Sequence, residues 1–205
     1  MDRRQSAQAP IGGVERFRPT SGRFTGAVLV VAGLAVGALS LIEPSTVIPE
    51  VGAGRLVAAV LGWTAMLRPR VSVVEDDLEL RNMLETVNIP LAAVEEMAVR
   101  QVLAVQAGEK RFTSPALGRK RKSLVKGQTV DQAPSGGSAH VPGTYPEFVE
   151  ERIRKRVAEA RARVGVRPGS AEQLALAVGV RRAPAWPEIV ALATSAVVLA
   201  VAFLL

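Results

Sequence analysis

The stretch RPRVSVVEDDLELRNMLETVNIP, residues 68–90, decides the fold. Val71 and Val73, then Leu78 and Leu80, then Val87 and Ile89 are apolar at alternate positions. An extended chain points successive side chains to opposite faces, so this period of two predicts half-buried strands. Glu75, Asp76 and Asp77 form a turn between the first two runs, and Asn82 marks the next break. Directly upstream, LVAAVLGWTAML (56–67) reads as the end of a membrane span. A small β unit therefore begins where an apolar segment stops.

Downstream, LAAVEEMAVRQVLAVQA (91–107) predicts a short turn and one or two strands around Met97, Val99, Val102, Leu103 and Val105. AGEKRF (107–112) predicts a hairpin turn at Gly108 and Glu109 and a strand through Phe112. The sum is five or six short strands spaced as a meander.

Upstream, FTGAVLVVAGLAVGALSLI (24–42) is 19 residues without a charge. As a helix it is about 28 Å long, roughly the hydrocarbon thickness. Its length, and the 23 residues before it, favour a retained span over a signal peptide. VGAGRLVAAVLGWTAML (51–67) is shorter and carries Arg55 near its start. It reads as a second span rather than a buried or interfacial helix. Arg55 is near enough to one end to snorkel, and Trp63 is an interface residue at the other. EPSTVIPE (43–50) links the two as a hairpin. WPEIVALATSAVVLAVAFLL (186–205) is a third span, with Trp186 as its interface anchor, Pro187 in the first turn and Glu188 near the headgroups.

The chain has 205 residues and a formal charge of +7, with apolar residues clustered into these segments. Arg3, Arg4, Arg16, Arg18 and Arg23 precede the first span, residues 41–54 hold no Lys or Arg, and Arg181 and Arg182 precede the third. The positive-inside rule then places the N-terminus and residues 68–185 in the cytoplasm and the C-terminus outside. With no Cys, neither a disulfide nor a thiolate site is possible.

LRPRV (67–71), the acidic hairpin DDLELRN (76–82), LETVNIPLAAVEEM (84–97) and the basic hairpin GEKRFTSPA (108–116) together resemble a known pattern. It is that of the small PH-like (pleckstrin homology-like) domain of actinobacterial membrane proteins, in which a double-span hairpin precedes the domain. The resemblance covers about residues 55–115. It implies a partly open β-barrel and no established activity. Met83, Glu85 and Leu91 depart from the family, where Pro, a basic residue and Trp are common at those places. These departures bear on shared ligand contacts more than on the fold.

A full PH fold has seven strands and a closing helix. TYPEFVEERIRKRVAEARARV (144–164) is the candidate helix. Thr144 and Glu147 have capping-box spacing, and Phe148 or Val149, Ile153, Val157, Ala160 and Val164 form an apolar stripe. Pairs four apart, Glu150–Arg154, Glu151–Lys155 and Glu159–Arg163, support it. The stripe serves either to close the β domain or to contact a partner. A second short helix over 171–178 starts at Ser170, with Gln173 completing a capping box. Residues 127–143 are a Gly, Ser and Pro rich linker.

Catalytic chemistry finds no foothold. Asp76 and Asp77, like Glu95 and Glu96, are adjacent carboxylates of turns, which diverge. His140 lies in the linker, where nothing orients it as a base. No phosphate-binding glycine loop or metal-ligand cluster occurs, and no cofactor is implied. The basic run Arg119, Lys120, Arg121, Lys122 and Lys126 reads either as a solvated loop or as a contact with anionic headgroups. At about 1 kcal/mol per residue near a charged leaflet, five contribute at most about 5 kcal/mol. No aromatic residue interleaves the run, which argues against nucleic acid.

The expected organisation is an α+β membrane protein: a basic tail (1–23), a transmembrane hairpin (24–67; spans 24–42 and 51–67), a PH-like β-barrel or meander (68–126) and a linker (127–143). An amphipathic helical region (144–182) and a C-terminal transmembrane helix (186–205) complete it. The expected role is a non-enzymatic scaffold or adaptor in the plasma membrane, binding a protein partner, a second copy or the inner leaflet. The alternative is an accessory subunit of a transport or export complex, packed through the small residues of its spans.

Overall fold

The computed structural model describes residues 14–19, 22–42, 48–118 and 145–204. The architecture is α+β, with two antiparallel sheets and five α-helices among those residues. The first sheet contains β1 (Glu15–Phe17), β2 (Arg70–Val74), β3 (Asp77–Arg81), β4 (Glu85–Pro90) and β8 (Arg181–Pro184), in the order β1-β2-β3-β4-β8. The second contains β5 (Glu96–Val99), β6 (Leu103–Ala107) and β7 (Lys110–Ser114). The strands form two antiparallel sheets of mostly consecutive neighbours, and closure into the expected barrel is not seen. The break falls at the 3₁₀ turn Leu91–Ala93, which ends the extended chain after Pro90.

The period-two residues do what the pattern predicts. Val71, Val73, Leu78, Leu80, Val87 and Ile89 are at most 1 % exposed and face Leu103, Val105 and Phe112 in one core. Each such burial contributes roughly 1.5–3 kcal/mol relative to exposure. Two-residue turns join β2 to β3 and β6 to β7. Both place their first central residue at positive φ, Gly108 at 60° and Glu75 at 54°. Glycine adopts that region freely, and glutamate does so only with strain.

Two strands lie where the sequence reading placed none. β1 falls in the stretch read as a basic tail, and β8 straddles the end of the helical region at residue 182. Neither carries an alternating pattern. β1 is three residues long and buries only Phe17; β8 is an edge strand with every residue exposed. Pairing partners hold them in place: Arg16 lies opposite Ser72, and Thr86 opposite Ala183.

Helix α3 (Tyr145–Val164) buries Val149, Ile153, Val157 and Ala160 against the β5 region and the 3₁₀ turn. Of the two uses expected for the stripe, it closes the β core. Phe148 and Val164, also expected on the stripe, are exposed at its margins. Arg161 donates to the Val94 carbonyl; burial lowers its pKa from the ordinary value, and nearby Glu95 opposes the shift. Arg152 bonds Glu15 at 2.7 Å and so ties α3 to β1. Of the expected four-apart pairs, Glu150–Arg154 forms at 2.8 Å, whereas Arg163 pairs with Asp76 instead of Glu159. Thr144 lies outside the described residues.

Helix α4 (Ala171–Leu176) begins at Ser170, whose Oγ accepts from the Gln173 amide at 3.3 Å. The other half of the capping box is replaced. The fully buried Gln173 side chain donates to the carbonyls of Ala92 and Val94 and accepts from the Gly169 amide.

Among the described residues three helices are long and apolar enough to cross a membrane: α1 (Arg23–Ile42), α2 (Pro49–Gly62) with the π turn Trp63–Leu67, and α5 (Trp186–Leu204). α2 packs against both α1 and α5. Gly33 permits the α1–α2 approach: a Cβ there would lie 2.5 Å from the Ala59 Cβ and 2.6 Å from the Arg55 carbonyl oxygen.

Candidate functional site

Chain connectivity brings the three apolar helices to one edge of the larger sheet. β1 ends at Phe17 and α1 starts at Arg23; the π turn ends at Leu67 and β2 starts at Arg70; β8 ends at Pro184 and α5 starts at Trp186. β1–β4 and β8 alternate in direction, so these junctions and the β3–β4 turn at Asn82–Leu84 share that edge.

Arg68 fastens the junction. Its Nε donates to Glu188 Oε1 at 2.6 Å, and its Nη1 donates to the carbonyl of Asn82. Its Nη2 reaches Thr86 Oγ1 at 3.4 Å. The two charged side chains are 12 % and 13 % exposed. One guanidinium thus joins the foot of α2, the first turn of α5 and both sides of the β3–β4 turn. The Ala185 amide adds a bond to the Leu84 carbonyl at 2.8 Å. The sequence reading sets Glu188 near headgroups; in the fold it is the counter-charge of Arg68.

Beside this bond lies a cavity of about 410 Å³, lined by Arg23, Trp63, Leu67, Arg68, Arg70, Arg81 and Glu188. Arg70 and Arg81 are directly opposite each other across β2 and β3. Arg81 is held by Glu79 at 3.0 Å, and Glu79 also accepts from the Ser72 hydroxyl at 2.8 Å. Among the described residues no carboxylate bonds Arg23 or Arg70, and both are exposed, so two guanidinium groups are free to take an anion.

The expected anchors Trp63 and Trp186 both stand at the sheet-proximal ends of their helices, 40 % and 65 % exposed, and Trp63 also lines the cavity. The basic run Arg119, Lys120, Arg121, Lys122 and Lys126 lies outside the described residues, as does His140. The adjacent carboxylates are separately engaged: Asp76 by Arg163, Asp77 by Arg181 at 2.6 Å, and Glu95 by the Gly108 amide. Glu96 is exposed on β5. Sequence reasoning used Arg23 only to orient the spans, and Arg68 and Arg70 only within the LRPRV motif after the second span. Arg81 entered only as part of a hairpin motif. The β2–β3 register, which joins them, is what brings out the cluster.

Compared with protein-family models, curated proteins and solved structures, the chain matches none.

Proposed function

We propose that this protein is a membrane-anchored, non-enzymatic scaffold or adaptor whose β module is PH-like and faces the cytoplasm. The observation that carries the reading is the attachment of all three apolar helices to one edge of one sheet. β1 precedes the helical hairpin and β2 comes after it, yet the two are paired. If the helices cross the bilayer, pairing requires both strands to be on one side, and the β4–β8 pairing brings the start of α5 to that side too. This agrees with the distribution of Arg and Lys, a separate line of argument. The strands β1–β7, divided over two sheets, with α3 after them support the PH-like reading, which expects seven strands and a closing helix; β8 is an addition to that plan. Such a module is already tethered. Its remaining use is to present a fixed surface to a protein partner or to the inner leaflet.

The absence of cysteine makes the test direct. Single Cys residues at Ser45, Ser135 and Leu205 are labelled in intact cells with a membrane-impermeant maleimide. Labelling at 45 and 205, with 135 silent until lysis, is the expected pattern. Labelling at 135 in intact cells would sink the cytoplasmic placement.

One observation favours the accessory-subunit reading. Arg55 is exposed about 9 Å along α2 and bonds no carboxylate among the described residues. A guanidinium at that depth is costly unless it snorkels or finds an acid on another chain. Stoichiometric co-purification of a second membrane chain in mild detergent, lost in Arg55→Leu, is the result that reading requires.

A further inference from the structure

We propose that the arginine-lined cavity at the foot of the helices binds a phosphate group, that of an anionic phospholipid headgroup in the leaflet the β module faces. The proposal rests on the membrane reading above and adds the ligand class and the residues. Arg23 and Arg70 hold the phosphate oxygens, Arg81 flanks them, and Trp63 lies alongside at the level where lipid headgroups meet acyl chains. Arg68 is already committed to Glu188 and shapes the wall.

Two placements run against local preference, and both are relieved by an anion. Like charges directly opposite on adjacent strands destabilise a sheet, yet Arg70 faces Arg81, and Glu79 pairs with only the second of them. The N-terminal turn of a helix favours acids, yet α1 begins with Arg23 and has no acid in its first turn. Breaches of local rules concentrate at functional sites. The positive-inside bias explains basic residues beside a span. It does not explain four of them converging on one cavity from α1, the α2–β2 link, β2 and β3. Guanidinium is the group suited to phosphate, because its planar fork makes two charge-assisted bonds at once. A cavity of about 410 Å³ is of the size that takes a small polar group.

The test uses the full chain with Trp186→Phe, so that Trp63 is its single tryptophan. The protein is placed in nanodiscs of phosphatidylcholine containing one-tenth phosphatidylglycerol, with bromine on the upper acyl chain of one lipid or the other. Quenching of Trp63 by brominated phosphatidylglycerol about five-fold above its bulk share is the expected result. Arg23→Gln/Arg70→Gln returns it to the bulk share. The control Lys155→Gln/Arg167→Gln, which removes the same charge from exposed positions, leaves the enrichment intact. Equal loss in both pairs means diffuse electrostatics and overturns the site. So does enrichment that survives in Arg23→Gln/Arg70→Gln.

A second arm distinguishes the source of the phosphate. Inorganic phosphate is added to the detergent-solubilised protein. A saturable change in Trp63 emission, lost in Arg23→Gln/Arg70→Gln, without lipid enrichment assigns the cavity to a soluble phosphate compound and overturns the lipid source. No response to either probe overturns the phosphate site outright. Absence of quenching by brominated phosphatidylcholine as well overturns the membrane reading beneath it, a separate signature.

Discussion

At the residue scale, two positions show how side-chain chemistry is spent in this fold. Glu75 occupies a positive-φ turn position that suits glycine. Glu75→Gly is expected to raise stability by about 0.5–1 kcal/mol, seen as a higher apparent Tm in detergent. The same change at the exposed helix position Glu151 is expected to lower it by about 1 kcal/mol. Gln173 is the opposite case, a fully buried amide that fixes α4 to the turn between the sheets by two hydrogen bonds and to Gly169 by a third. Gln173→Ala leaves buried backbone groups short of partners and is expected to cost about 1–3 kcal/mol. Unchanged thermal unfolding would show that water or a neighbouring donor replaces it.

At the element scale, the helical hairpin packs closely at Gly33. Gly33→Leu forces a side chain into Ala59 and the Arg55 carbonyl and is expected to destabilise the α1–α2 pair by about 1–3 kcal/mol or more. Gly37→Leu is the matched control, because nothing lies within 4 Å of a Cβ there. Comparing the two by thermal aggregation in detergent tests the packing directly. The elements legible in the sequence are those with a strong period. The three apolar helices are legible from clustering of apolar residues, and β2 to β7 and α3 from a period that burial enforces. β1 and β8 are not legible, because a three-residue strand and an exposed edge strand bury too little to leave a pattern. Their existence depends on hydrogen bonds to β2 and β4, which bear on any residue type. The same holds for the arginine cavity. Arg70 and Arg81 are eleven positions apart, and only the β2–β3 register makes them neighbours.

At the scale of the whole molecule, the β1–β2 pairing can be tested without disturbing the core. Arg16 and Ser72 are directly opposite on the outer face of the sheet, on either side of the helical hairpin. Opposed residues of antiparallel strands lie about 4.5–5.5 Å apart between α-carbons, within disulfide reach. Arg16→Cys/Ser72→Cys is expected to form an intramolecular disulfide in isolated membranes under mild oxidant, seen as a gel-mobility shift reversed by reductant. Arg16→Cys/Glu79→Cys, two strands apart, is expected to remain reduced. The reverse result would remove β1 from the sheet. The pairing also has a consequence for biosynthesis. β1 leaves the ribosome before either helix of the hairpin, and its partner emerges only after both. On the proposed membrane reading, a chain whose hairpin inserts with the wrong number of crossings leaves the two strands in different compartments, with Phe17 and its share of the core unsatisfied. On that reading, assembly of the sheet is conditional on correct insertion, and a mis-inserted chain leaves the β2 edge without its β1 partner.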